Sequence, residues 1–260
     1  MDELGASGRP LLVMGRGWAV YAGPVEPGRL HRHQATQLAW CSHGTLQLEG
    51  AWGVMDTPGH FLPAPVPHRL VAAQPLRMVF LDPTVLGHEP ARSLPAGAAS
   101  LTALQVDVLE DALDRWLEGE DLAGVHQPPD SRTDDDPRWA TILAWLEQAL
   151  DTSVRVEDAA EAVGLSSSRF MHWFAEASGL TFRAYIRWLR LQRAVRTLSD
   201  GSTLTEAAHL AGFADSAHLT RTFVATFGVR PAPLRGARIV CADHVTPPLT
   251  PHGLALVETS

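Results

Sequence analysis

The chain has 260 residues, 45% of them hydrophobic, a formal net charge of −8 and two cysteines. That length holds two modest domains, each with a core of its own. No apolar run nears the roughly 20 residues that span a bilayer, and Cys41 and Cys241 are too few and too far apart for a disulfide framework or a zinc-finger spacing. Residues 1–136 carry 9 Arg against 18 Asp and Glu, net −9, whereas residues 137–238 carry 12 Arg against 9, net +3. An acidic front and a basic back point to different partners for the two halves, so the overall negative charge does not exclude nucleic acid from the second.

The opening "MDELGASGRP" has no basic segment followed by an apolar one, the pattern of a secretory signal, so the chain reads as cytoplasmic with no membrane partner. From residue 10 to 81, short apolar stretches such as "PLLVMGRGWAVYAGP" and "LRMVFL" are separated by Gly and Pro. Many short strands with close turn signals predict a small antiparallel sandwich or barrel. Within it, "HRHQATQLAW" places His31 and His33 two apart. In a strand they share a face, and Gln37 joins them four residues on. His68 follows in "PAPVPHRL". His43 and His60 stand beside turn glycines and read as surface imidazoles.

Leu101 to Leu117 changes period: Leu101, Leu104, Val108, Leu109, Ala112, Leu113, Trp116 and Leu117 recur at three and four, with acidic residues between. This predicts an amphipathic helix, which either closes one end of the barrel or pairs with a second copy. The acidic, Pro-rich stretch that follows reads as a linker over 124–136.

From Pro137 onward nearly everything reads as helix. "VEDAAEAVGLSSSRFMHWFAEASGLTFRAYIR" and "LTEAAHLAGFADSAHLTRTFVATFGVRPAPLR" share one order of features, and the repeat is about 49 residues long. In each copy a short helix ends at Gly164 or Gly212 and a second begins behind a small polar cap, which is a helix-turn-helix. Phe170, Phe174 and Ala177 form one inner face, and Leu219 and Phe223 the other. The outward residues Ser167, Ser168, Met171 and His172, and Ser216, Ala217, His218 and Arg221, are the candidates for a DNA major groove. Arg221 suits bidentate contact with guanine or a phosphate. Arg183, Arg187, Arg190, Arg193 and Arg196, on the connecting helix, add positive charge that a solvated, salt-bridged face would equally explain.

On these residues, 137–238 resembles the tandem helix-turn-helix domain of the AraC/XylS family of bacterial transcription regulators. "GFADSAHLTRTFVATFGVRPAPLR" follows that family's C-terminal signature through Gly212, Phe213, Phe223, Phe227, Gly228 and Pro231. One departure is that the exposed face of the first recognition helix carries less Arg, Gln or Lys than the family's usually does. In the N-terminal half, His31, His33 and His68 resemble the ligands of the two cupin motifs, with Gln37 where those motifs place a carboxylate.

The resemblance implies a two-domain chain: an all-β cupin-like sensor or dimerisation domain with a helical extension (1–123), the linker and an all-α DNA-binding domain (137–238); residues 239–260 lie beyond the family pattern, and their Pro content reads as a loosely packed or disordered tail. It implies double-stranded promoter DNA as partner, with a small-molecule effector, RNA polymerase and a second copy of the chain as further expected partners, and no catalytic residues. His31, His33, Gln37 and His68 form the expected metal or effector pocket. Three imidazoles suit Zn, Ni or Fe, while the missing carboxylate weighs toward a metal-free effector pocket. The competing reading is a metal-dependent cupin enzyme, an isomerase or dioxygenase, with a DNA-binding appendage.

Overall fold

The structure is a computed structural model that describes residues 10–25, 27–72, 75–82, 97–118, 136–150, 154–178, 180–228, 231 and 237–241. Its N-terminal half is built from β1 (Leu11–Gly15), β2 (Trp18–Gly23), β3 (Thr36–Cys41), β4 (Leu46–Gly50), β5 (Gly53–Thr57), β6 (Gly59–Leu62), β7 (His68–Ala72), β8 (Leu76–Leu81), β9 (Ala99–Leu101) and the helix α1 (Ala103–Glu118). The C-terminal half holds α2 (Pro137–Ala149), α3 (Val156–Ala162), α4 (Ser167–Ser178), α5 (Phe182–Ser199), α6 (Leu204–Leu210) and α7 (Ser216–Phe227), followed by a strand, β10 (Arg238–Cys241). One sheet runs β10-β1-β2-β8-β3-β6-β9, and a second runs β5-β4-β7.

The larger sheet is covered on both faces. Alternate residues of its strands point opposite ways, so Leu11, Val13, Trp18, Val20, Leu38, Trp40, Val79 and Leu81 face α1, while Leu12, Met14, Ala19, Tyr21, Ala39, Met78 and Phe80 face the smaller sheet and the helical half. Two apolar faces explain why β2 and β3 are buried at every position. The helix α1 lays Val106, Leu109, Leu113 and Trp116 on the outer face, with Trp116 edge-on to Trp18 at 5.4 Å between ring centroids. Trp40 Nε1 donates to Glu110 at 2.9 Å, and Arg77 pairs with both Glu110 and Asp114. The apolar stripe that sequence left open to pairing with a second copy is therefore largely occupied within the chain, while Leu104 stays 73% exposed.

The helices begin where polar caps satisfy free backbone N–H groups. Asp136 accepts from Arg138 N, Thr181 from Ala184 N and Asp215 from His218 N. Thr203 and Glu206 form a reciprocal capping box at α6. Gly164 (φ +68°) and Gly212 (φ +73°) turn the chain out of α3 and α6 in the left-handed region that favours glycine. Phe170, Phe174, Phe182 and Tyr185 pack edge to face around the first helix pair.

Two expectations are corrected. The N-terminal half keeps a core of its own only beneath α1; on the other face of the sheet Phe80 of β8 meets Phe227 of α7 at 5.3 Å, Phe227 meets Trp188 of α5 at 5.4 Å, and one buried cluster runs from the sheet into the helices. Nor are the described residues of the expected tail, 239–241, loosely packed, because β10 pairs in parallel with β1, Leu12 opposite Ile239 and Val13 opposite Val240. The exposed edge of β1 has free backbone donors and acceptors, and a returning strand satisfies them. Of the expected linker, 124–135 lies outside the described residues and Asp136 caps α2. Of the expected tail, 242–260 lies outside them as well.

Candidate DNA-binding surface and histidine site

Each helix-turn-helix buries its Phe and Leu positions and turns the rest outward. In α4, Phe170 and Phe174 are buried, Ser168 and His172 are exposed, Met171 is 49% exposed, and Ser167 is half-buried. In α7, Leu219 and Phe223 are buried, Ala217 and Arg221 are exposed and Ser216 is half-buried. His218, placed with the outward set by sequence, packs edge-on against Phe213 at 5.3 Å and lines a cleft of about 780 Å³ with Gln34, Arg183, Arg187, Arg190 and Thr222. One residue missed from sequence joins the outward face: Arg169 is exposed in the first turn of α4, three residues before His172. Its spacing to His172 was the available signal.

The connecting helix does not offer all of its arginines to a partner. Arg187 donates to Asp82, after β8, and to Gln34 at 2.9 Å, and Trp188 Nε1 donates to the same Asp82 carboxylate at 3.1 Å. Gln192 donates to the Met14 carbonyl of β1 at 3.1 Å. This face of α5 is a seam between the halves, while Arg183 and Arg196 remain exposed.

The structure brings His31, His33 and His68 together, one nitrogen of each lying within 4.8 Å of the others. An isolated antiparallel bridge pairs His31 with His68, and His33 sits two residues along on the same face. The second nitrogen of every ring is held by a backbone carbonyl. His31 Nδ1 lies 2.9 Å from Arg29 O, His33 Nδ1 2.7 Å from Ala35 O, and His68 Nδ1 2.9 Å from Val66 O. A carbonyl only accepts, so each Nδ1 carries the proton, and in the neutral ring each Nε2 presents a lone pair.

Burial keeps His33 and His68 neutral. It pulls the His33 and His68 pKa values down to about 4, aided by neighbouring imidazoles and resisted by their backbone hydrogen bonds. His60, read from sequence as a surface imidazole, is instead only 2% exposed in β6, and burial followed by the neighbouring His68 and His33 lowers it to about 3. Its Nε2 lies 3.3 Å from Gln37 Oε1, the same oxygen that stands 3.3 Å from His33 Nε2. Gln37 thus lies between His33 and His60 in the pocket wall. The cavity between these groups is about 60 Å³ and is roofed by Phe227 and Gly228 of the helical half. Organic ligands of ordinary size need about 300 Å³ or more, whereas one water takes about 30 Å³. The space suits an ion with a water or two.

Residues 159–237 match the family model described as a helix-turn-helix domain. The chain is 35% identical over 108 residues to the HTH-type transcriptional activator RhaS of Salmonella arizonae, a match covering 41% of this chain and 38% of that protein, so the chain spans well under half of its relative's length. Among solved structures, ToxT from Vibrio cholerae is similar over 83% of this chain and 97% of its own, at 12% identity and a TM-score of 0.41. The DNA-binding domain of the global transcriptional factor AdpA, solved with a target DNA, covers 39% of this chain and 91% of its own, at 27% identity and a TM-score of 0.35.

Proposed function

We propose, from the premise that the C-terminal half is a tandem helix-turn-helix domain of the AraC/XylS type, that the chain is a sequence-specific regulator of transcription. In this reading α4 and α7 read duplex promoter DNA, and the N-terminal β domain sets how they are presented. The observation that carries it is the pair of helix-turn-helix units with outward residues of the right chemistry: Ser168, Arg169, Met171 and His172 on one, Ala217 and Arg221 on the other. Short polar side chains and Arg at a helix N-terminal half reach base edges and phosphates. The net −9 of residues 1–136 repels DNA and the +3 of residues 137–238 attracts it, which orients the chain on a duplex.

The reading gives the protein no reaction to catalyse. Its input is the histidine pocket or the cleft between α5, α7 and Gln34, both of which touch α7. The test is selection of binding sites from a random duplex library by the full chain, followed by a salt titration on the selected site. A selected motif with affinity falling steeply in salt is expected, because phosphate neutralisation releases counterions. Failure to enrich any motif at low salt overturns the reading.

A further inference from the structure

The cleft between α5, α7 and the start of α3 shares no lining residue with the histidine pocket, and its walls have a different chemistry. It encloses about 780 Å³, the size of a small-molecule site. Only Gln34 of its lining comes from the β half. One wall is cationic. Arg183, Arg187 and Arg190 stand at i, i+4 and i+7 of α5 and so share one face of that helix, and His218 of α7 joins them. Among the described residues, no Asp or Glu lines the cleft. The other wall is apolar, built from Phe182 and Ile186 of α5, Phe213 before α7, and Val154 and Val156 where α3 begins.

On α7, His218 and Thr222 stand one residue, or about 100°, round the helix from Ala217 and Arg221, so the cleft flanks the outward face and is not part of it. A phosphodiester would meet the arginines and leave Phe182, Ile186 and Phe213 unmatched, whereas an acid on an apolar body matches both walls. Burial also pulls the Arg190 pKa below the usual arginine value, and an anion beside it offsets that cost.

We propose that this cleft binds a small organic anion, one acidic group on a compact apolar body, with Arg183 and Arg190 holding the acid and Phe182, Ile186 and Phe213 the body. The purpose of such a ligand, as input to a regulator, rests on the reading above; its chemistry does not. Arg187 faces the same cleft but donates to Asp82 and to Gln34 Oε1 of the β half. Anion and Asp82 therefore compete for one guanidinium, so a filled cleft loosens the seam between the halves, and by linkage the closed seam weakens the ligand by the same factor.

The experiment uses the full chain and two dyes of one skeleton: anilinonaphthalene sulfonate, which carries the acid, and phenylnaphthylamine, which lacks it. Fluorescence titration should find one sulfonate dye per chain, bound at least about tenfold tighter than the neutral one. Arg183→Met and Arg190→Met should each weaken the sulfonate about tenfold and leave the neutral dye unchanged. Arg183 is exposed, so its variant reads the site without disturbing the core. Thr222→Trp, which fills the cleft from α7, should weaken both dyes. Asp82→Asn should tighten the sulfonate about threefold, because Arg187 then keeps its full charge. Equal affinity for the two dyes, or sulfonate binding that neither arginine variant changes, overturns the site. Arginine variants that keep the dye and instead lower the salt slope of DNA binding by about one ion each make the cleft a phosphate contact and overturn it as well. Unchanged or weaker sulfonate binding in Asp82→Asn overturns the competition. A chain that selects a DNA motif yet shows no preference for the sulfonate sinks this inference and leaves the regulator reading standing; a preference lost in Arg183→Met, without DNA selection, does the reverse.

Discussion

Phe227, the last residue of α7, meets Phe80 of β8 edge to face with ring centroids 5.3 Å apart, so the helix that carries Arg221 at its outward face is anchored in the sheet at its other end. Truncating either ring removes contacts from both halves at once. Phe80→Ala and Phe227→Ala should each cost about 3 to 5 kcal/mol, with a coupling of about 0.5 to 1.5 kcal/mol between them. Urea denaturation of the two single variants and the double variant measures it, and strict additivity would mean that the contact is not made in solution.

Arg187 and Asp82 form the polar part of the same seam, with the Asp82 side chain only 4% exposed. Removing the guanidinium takes a charged donor from that carboxylate, to which the indole of Trp188 still donates. Arg187→Met should therefore cost about 3 kcal/mol of stability, and the double variant with Asp82→Asn should recover part of it. If Arg187→Met were instead stable and defective only in DNA binding, Arg187 would belong to the DNA surface.

On that surface, Arg221→Ala should cost about 1 to 3 kcal/mol of binding and relax preference at one position of the selected site. A loss uniform across sequences would make it a phosphate contact. Arg169→Ala should reduce affinity and the salt slope by about one ion. Ser168→Ala and Met171→Ala should cost less than Arg221→Ala, because neither side chain offers a charged donor; binding measurements that rank them above it would reverse the assignment.

Asp136 caps α2, pairs with Arg138 and accepts from Trp173 Nε1 at 2.9 Å. The Arg138 guanidinium holds its carboxyl down at about 2, below the usual carboxylate range. A carboxyl with a depressed folded pKa stabilises the fold above its unfolded value and loses that contribution as pH falls through the folded one. Asp136→Ala should lower stability by about 1 kcal/mol at neutral pH, and the difference from the parent should shrink between about pH 4 and pH 2. A difference constant across that window, followed by urea denaturation, would show that the carboxylate is not what stabilises the helix.

What the sequence determined by itself is what is encoded within a turn or two of chain. The two helix-turn-helix units are legible because Gly164 and Gly212, the small polar cap before α7 at Asp215, and the spacing of Phe170 with Phe174 are local signals whose meaning does not depend on distant residues. The shared face of His31 and His33 followed from strand period alone. Only the tertiary structure decided that His60 is buried, that Arg187 is committed to a carboxylate 105 positions away, that β10 returns to β1, and that Gly228 closes over His31. Period and residue type say which way a side chain faces from its own element, but burial, pairing and closure are set by whichever element packs on that face. Here that element comes from the other half of the chain, because the larger sheet is apolar on both sides and its inner face is completed by α5 and α7.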